Sequence, residues 1–219
     1  MLGILMLDTV FPRPLGDIGN PQTFPFATRL RKIERASPEK VIFERANGLI
    51  DQFITAAQQL QAEGCRAIVT SCGFLALQHH QIAAALHIPF ASSSLCWLPT
   101  LYNAFGGPAH VGILTASASS LSDEHLAALG GSAATPRAGM PPASEFARVI
   151  IGNQVEGDME QIHAEMISAA LGLVERHPEV RALLLECTNM SPCAAEIAKR
   201  TGRPVFDLVG LAKQMMTAG

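Results

Sequence analysis

Charge is scarce in this chain. Only 16% of its 219 residues are Asp, Glu, Lys or Arg, and the formal net charge is −3. That balance supplies neither a basic surface for nucleic acid nor a cationic run for an anionic membrane, so neither partner is expected. Long apolar runs are missing too. The segment 180–185 is of strand length, far short of the roughly 20 residues of a membrane span. The first eight residues carry no basic flank and no small-residue cleavage site, which argues for a first strand and against a signal peptide. The five cysteines, at 65, 72, 96, 187 and 193, are odd in number and show no CxxC spacing. Reduced thiols and a cytoplasmic location are the expectation. No GxGxxG or P-loop occurs. His79 and His80 have no third ligand at metal spacing, so no metal site is expected.

Apolar residues are plentiful at 48%. The length suits one large domain or two lobes of about 100 residues each. After a short apolar run ending at Asp8 comes a Pro/Gly stretch, Phe11 to Pro21, that neither a helix nor a central strand accommodates. A loop this long inside a compact protein is usually functional or disordered. Residues 39–44 read as a short strand. Residues 46–63 place Leu49, Ile50, Phe53, Ile54, Ala57 and Leu60 on one helical face. A strand over 66–71, a helix over 74–86, a strand over 88–92 and a helix over 94–104 follow. The second half repeats the order: strand 110–115, helices over 119–129, 143–151 and 157–176, strand 180–186, helix 191–201, strand 204–207 and a terminal helix.

The halves also agree in register. Gly3-Ile4-Leu5 matches Gly112-Ile113-Leu114, and Arg66 to Cys72 matches Arg181 to Cys187. Pro89 and Pro204 stand at the same distance after Cys72 and Cys187. Three coincidences in one order predict an α/β fold of two pseudo-symmetric lobes, each a mostly parallel sheet flanked by helices, with a cleft between. The expected boundaries are 1–105 for the first lobe, joined by the C-terminal helix 207–219, and 106–206 for the second.

Ligands of such sheets bind beyond the carboxyl ends of the strands, where Asp8, Cys72, Thr115 and Cys187 all fall. A pseudo-two-fold axis makes the two cysteines face each other, with room for a small acid between them. A thiol just before a helix has its thiolate stabilised by the helix N-terminus, so its pKa is expected to fall from about 8.5 toward neutrality. Two such groups can exchange protons with opposite faces of one carbon, inverting it without a cofactor. The bland alternative, two buried small apolar residues, fits one cysteine better than two at equivalent repeat positions. Cys65, Cys96 and Cys193 have no such partners and read as structural.

These residues resemble the aspartate/glutamate racemase superfamily, which also includes hydantoin racemases, maleate isomerases and arylmalonate decarboxylases. The resemblance rests on Thr70-Ser71-Cys72-Gly73-Phe74, Glu186-Cys187-Thr188-Asn189-Met190, Asp8-Thr9 after the first strand, and Thr115 after Gly-Ile-Leu. It implies catalysis by Cys72 and Cys187 on a small carboxylate such as an amino acid, without pyridoxal phosphate or metal, in a homodimer. The residues after the cysteines differ from those of familiar glutamate racemases, and Cys-Thr-Asn is closer to the isomerase branch. Asp8 is open between a turn cap and a group for a substrate ammonium. Thr9, Thr115, Ser117, Thr188 and Asn189 are open between caps and carboxylate ligands, as are the backbone groups at Gly73 and Phe74. Arg13 reads as a solvated loop residue or a bidentate carboxylate clamp.

Overall fold

The structure, a computed structural model, describes residues 1–217. The first lobe contains β1 (Leu2–Met6), β2 (Thr28–Lys32), α1 (Pro38–Phe43), α2 (Ile50–Ala62), β3 (Ala67–Thr70), α3 (His79–Ala83), β4 (Phe90–Ala91) and α4 (Leu98–Phe105). The second contains β5 (Val111–Thr115), α5 (Asp123–Ala127), β6 (Arg137–Gly139), α6 (Met159–Arg176), β7 (Ala182–Leu185), α7 (Ala194–Thr201) and β8 (Val205–Phe206), and α8 (Leu208–Thr217) closes the chain. The helix expected over 207–219 is therefore seen as far as Thr217, and its last two residues lie outside the described ones.

Each lobe has a four-stranded parallel sheet, in the order β2-β1-β3-β4 and β6-β5-β7-β8. The two orders superimpose when β1 is matched to β5 and β3 to β7, as the repeat requires. Gly3 pairs with Ile68, and Gly112 with Leu183. A side chain at either glycine would press into the helix above, against Leu60 of α2 or Leu173 of α6. Every residue of β1, β3, β5 and β7 is buried. That is why these strands read as continuous apolar runs: a parallel sheet is covered on both faces. In β1, Leu2, Ile4 and Met6 pack with Leu208, Val209 and Ala212 of α8, while Leu5 joins α2 in the larger core that runs through both lobes.

Five expected elements need correction, and two strands were missed. Residues 39–44 are not a strand; α1 forms there because Ser37 accepts from the Lys40 N–H and Pro38 opens the first turn. Val41-Ile42-Phe43 is too short an apolar run for periodicity to separate strand from helix. The helices expected over 74–86 and 94–104 each begin as a 3-10 turn, Gly73–Gln78 and Ser94–Trp97, before α3 and α4. Residues 119–129 shorten to α5, and 143–151 ends in a π-helical turn at Ala147–Ile151. Strands β2 and β6 were not anticipated. Both are edge strands, and Thr28-Arg29-Leu30-Arg31-Lys32 carries the charge that edges tolerate in place of an apolar signature.

Candidate active site

The two strand ends that matter are built alike. After β3 come Ser71 and Cys72, then the 3-10 turn at Gly73–Gln78; after β7 come Glu186 and Cys187, then a 3-10 turn at Thr188–Cys193. Each thiol accepts a backbone N–H from two residues further on, Phe74 for Cys72 and Asn189 for Cys187. The turns also tie the lobes together. The Thr188 hydroxyl donates to the Ser71 carbonyl at 2.8 Å, and the Ser94 hydroxyl donates to the Leu185 carbonyl at 2.7 Å.

Cys72 and Cys187 line one cavity from opposite lobes. Its polar groups come from Thr9, Arg13, Ser71, Glu186 and Asn189, and its walls are Leu7, Phe11, Pro38, Ile42, Phe74 and Ile150. The space is nearly shut: about 20 Å³ admits the centre of a water molecule, room for about one water. The expected room for a small acid is thus absent between the two thiols. Phe11, Pro38 and Ile150 wall it from the long loop, α1 and the π-helical turn. A wider groove lies between β6 and α6, but its acid, Glu165, already accepts from the Glu145 and Phe146 N–H groups.

The expected lowering of the thiol pKa is overturned. Burial pushes Cys72 up to about 12, the nearby Glu186 charge adds to the rise, and the Phe74 N–H and Arg13 only partly offset them. Cys187 is raised well above the usual thiol value by burial, then by the charges of Glu186 and Cys72. One N–H from a short turn does not match the loss of water around a thiolate. Alkylation of the resting protein by iodoacetamide should therefore be slow at about pH 7 and still accelerating at about pH 10. A plateau near neutrality would contradict this.

The remaining expected residues divide. Thr9, Arg13, Gly73, Phe74 and Asn189 line the cavity. Thr115 and Thr188 are buried one layer behind it, Thr115 donating to Glu186 Oε2 at 2.6 Å. Asp8 does not reach it: its carboxylate pairs with Lys32 Nζ at 3.1 Å and accepts from the Arg35 N–H, which holds its pKa low. Ser117 lies in a surface turn against Ser119 and Ser120. His79 and His80 bond to Ser92 and the Ala128 carbonyl, and the described residues contain no group of three metal-ligating side chains.

Two residues escaped the sequence reading. Asp17, buried in the long loop, accepts from Arg13 Nη1, the Gly19 N–H and Asn189 Nδ2, each within 2.8 Å. It joins the loop to the turn that carries Cys187 and orients Arg13, whose guanidinium also donates to Thr9 and lies over the Phe11 ring. Glu186 ends an otherwise apolar strand and is fully buried. A charged residue closing a buried run was the available signal.

Two matched lobes with a two-cysteine cavity at their strand ends define a pseudo-symmetric α/β protein. The profile of the Asp/Glu/hydantoin racemase family matches residues 30–216, and the chain belongs to that family. In fold it is similar to a glycine-to-cysteine mutant of arylmalonate decarboxylase in its sulfate-associated form, with a TM-score of 0.65 at 16% identity over 100% of this chain and 94% of that one. It is also similar to the aspartate racemase of Picrophilus torridus, with a TM-score of 0.59 at 15% identity over 99% and 93%. In sequence it is 27% identical to a dimethylsulfoniopropionate lyase of Durusdinium sp. clade D, over 95% of this chain and 71% of that protein. It is 25% identical to dimethylsulfoniopropionate lyase 6 of Emiliania huxleyi, over 99% of this chain but only 59% of that protein. No described helix is long and apolar enough to cross a membrane.

Proposed function

We propose that this chain is a cofactor-independent enzyme that moves the proton α to the carboxylate of a small acid, with Cys72 and Cys187 as the acid–base pair. The observation that carries the reading is the pair of cysteines on opposite walls of one small cavity, at equivalent ends of β3 and β7. One thiolate takes the α-proton, the electron pair enters an enediolate, and the opposite thiol returns a proton to the other face, which racemises the carbon. Arg13 receives the carboxylate. Its bonds to Asp17 and Thr9 leave three of its five N–H donors free. An amino acid of the aspartate or glutamate type is the substrate that the family resemblance favours.

A second reading, a lyase, starts from the same enediolate. If the β-carbon bears a leaving group, the electron pair expels it and leaves a double bond beside the carboxylate. Two things favour this route. The cavity walls are apolar, and with Asp8 outside and Asp17 already paired an α-ammonium is left with the buried Glu186 carboxyl. The curated relatives also carry lyase names. Both routes are tested by incubating amino acids, hydantoins, maleate-type diacids and β-substituted propionates with the enzyme in D₂O. Deuterium at the α-carbon of recovered substrate is expected for racemisation, and release of the β-substituent for elimination. No exchange, elimination or decarboxylation with any of these acids would overturn the proposal.

A further inference from the structure

Glu186 is the cavity group that the two-cysteine chemistry leaves without a task. It follows Ala-Leu-Leu-Leu of β7 at the floor of the cavity, where the lobes meet, and is fully buried. Its two oxygens differ. Oε2 accepts the Thr115 hydroxyl at 2.6 Å, and the carboxylate also accepts the Ala116 N–H. Oε1 is buried without a partner. The opposite lobe is shaped around it: a side chain at Gly73 would place its Cβ 2.2 Å from Oε1 and 2.4 Å from the Glu186 carbonyl oxygen. Only glycine lets the turn after Cys72 close on this carboxyl.

A buried carboxylate oxygen with no donor favours the protonated form. Burial pushes the Glu186 pKa up to about 7, with Thr115 and Ala116 pulling the other way. With the Thr115 hydroxyl holding Oε2, the proton of the neutral acid belongs on Oε1. Glu186 lines the cavity, so a ligand that meets this unpartnered O–H must offer it an acceptor.

We infer that Glu186 is a third catalytic group, a neutral carboxylic acid whose Oε1–H donates a hydrogen bond to the carboxylate of the bound substrate. The inference rests on the carbon-acid reading. As a cysteine thiolate removes the α-proton, the C–H electron pair passes into the carboxylate and its oxygens gain negative charge. The Glu186 hydrogen bond strengthens at that moment without its proton being transferred. The same proton helps the thiols. The ionisable groups sharing the cavity are Cys72 and Cys187 from the two strand-end turns and Arg13 from the long loop, with Asp17 paired behind Arg13. An ionised Glu186 opposes both thiolates, and a neutral one does not. Activity should consequently rise with pH as thiolate forms and stop rising at about 7, where Glu186 loses its proton and repels both thiolate and substrate.

The test compares Glu186→Gln, which keeps the shape and a donor, with Glu186→Met, which keeps the length and donates nothing. In the α-deuterium exchange or elimination assay at about pH 6, E186Q should stay within about tenfold of wild type in kcat/KM, and E186M should lose at least roughly 10²-fold. The wild-type break near neutrality should vanish in E186Q, whose activity should keep rising with pH. Infrared difference spectra of the substrate-free protein give an independent readout. A neutral-carboxyl carbonyl band should be present in wild type below neutrality, disappear above it, and be absent from E186Q. An E186Q as impaired as E186M, or no titrating band, would overturn the inference. Wild type active beside an inactive E186Q sinks this inference alone. A wild type inert toward every acid sinks the carbon-acid reading and takes this inference with it, whatever the infrared band shows.

Discussion

Replacing Cys72 or Cys187 by Ser should lower turnover by at least roughly 10²–10⁴-fold, the range of a general acid–base group. Each substitution exchanges sulfur for a smaller oxygen and leaves the surrounding turn in place. The Phe74 and Asn189 N–H groups retain a polar atom to meet. The fold should therefore survive, and circular dichroism with a thermal melt checks that it does. A serine hydroxyl ionises far less readily than even a raised thiol, so neither variant supplies its base or its proton at a useful rate. The other thiols provide the control. Cys65 packs against Gly3 on the α2 face of the first sheet, and Cys193 lies at the start of α7 facing the His163 carbonyl, so Ser at either should leave turnover near wild type. Loss with Cys187→Ser alone would point to a single-cysteine decarboxylase or isomerase. Normal turnover in both variants would remove the cysteines from the mechanism.

Arg13→Met should destabilise the protein by about 3 kcal/mol and raise KM together. The guanidinium is largely buried and pairs with an Asp17 that is 1% exposed, at 2.8 Å. Removing one partner of a buried pair typically costs about 3–5 kcal/mol, because the other charge is left uncompensated. The low end applies here, since the Gly19 N–H and Asn189 Nδ2 still donate to Asp17. Urea denaturation measures the loss. Adding Asp17→Asn to the same chain removes the stranded charge, so stability should recover much of the deficit while KM stays high. If KM recovers along with stability, Arg13 organises the loop and does not bind the carboxylate. If neither parameter changes in Arg13→Met, the pair is a solvated contact and the clamp is absent.

The repeat made most of this architecture legible. Gly3 and Gly112, the apolar runs before Cys72 and Cys187, and the two prolines carried enough register to predict two matched parallel sheets. The structure has them, with Gly3 beside Ile68 and Gly112 beside Leu183. Elements outside the repeat's apolar signal were harder to see. β2 is polar because it lies on an edge, and β6 is three residues long. In α1, the cap at Ser37 and Pro38 outweighed a short run of β-prone side chains. At the site, five expected residues besides the cysteines meet around one cavity, since strand ends and the loop after β1 converge there. Asp8 was misplaced because position along a strand does not reveal which neighbour, here Lys32, claims a side chain. The thiol pKa values went the other way for a related reason. Sequence shows the turn that offers an N–H, but not the closed walls and the buried Glu186 that oppose ionisation.

The measurement that tests the central claim most directly is solvent exchange on each enantiomer of the substrate, made with the two single-cysteine variants in D₂O. A cysteine that remains can remove a proton from its own face and return a deuteron to that face, but cannot complete inversion. Cys72→Ser should exchange mainly one enantiomer and Cys187→Ser mainly the other, while interconversion stops in both. If both variants exchange the same enantiomer, or either still interconverts the two, the thiols do not serve opposite faces of one carbon and the two-base account is contradicted.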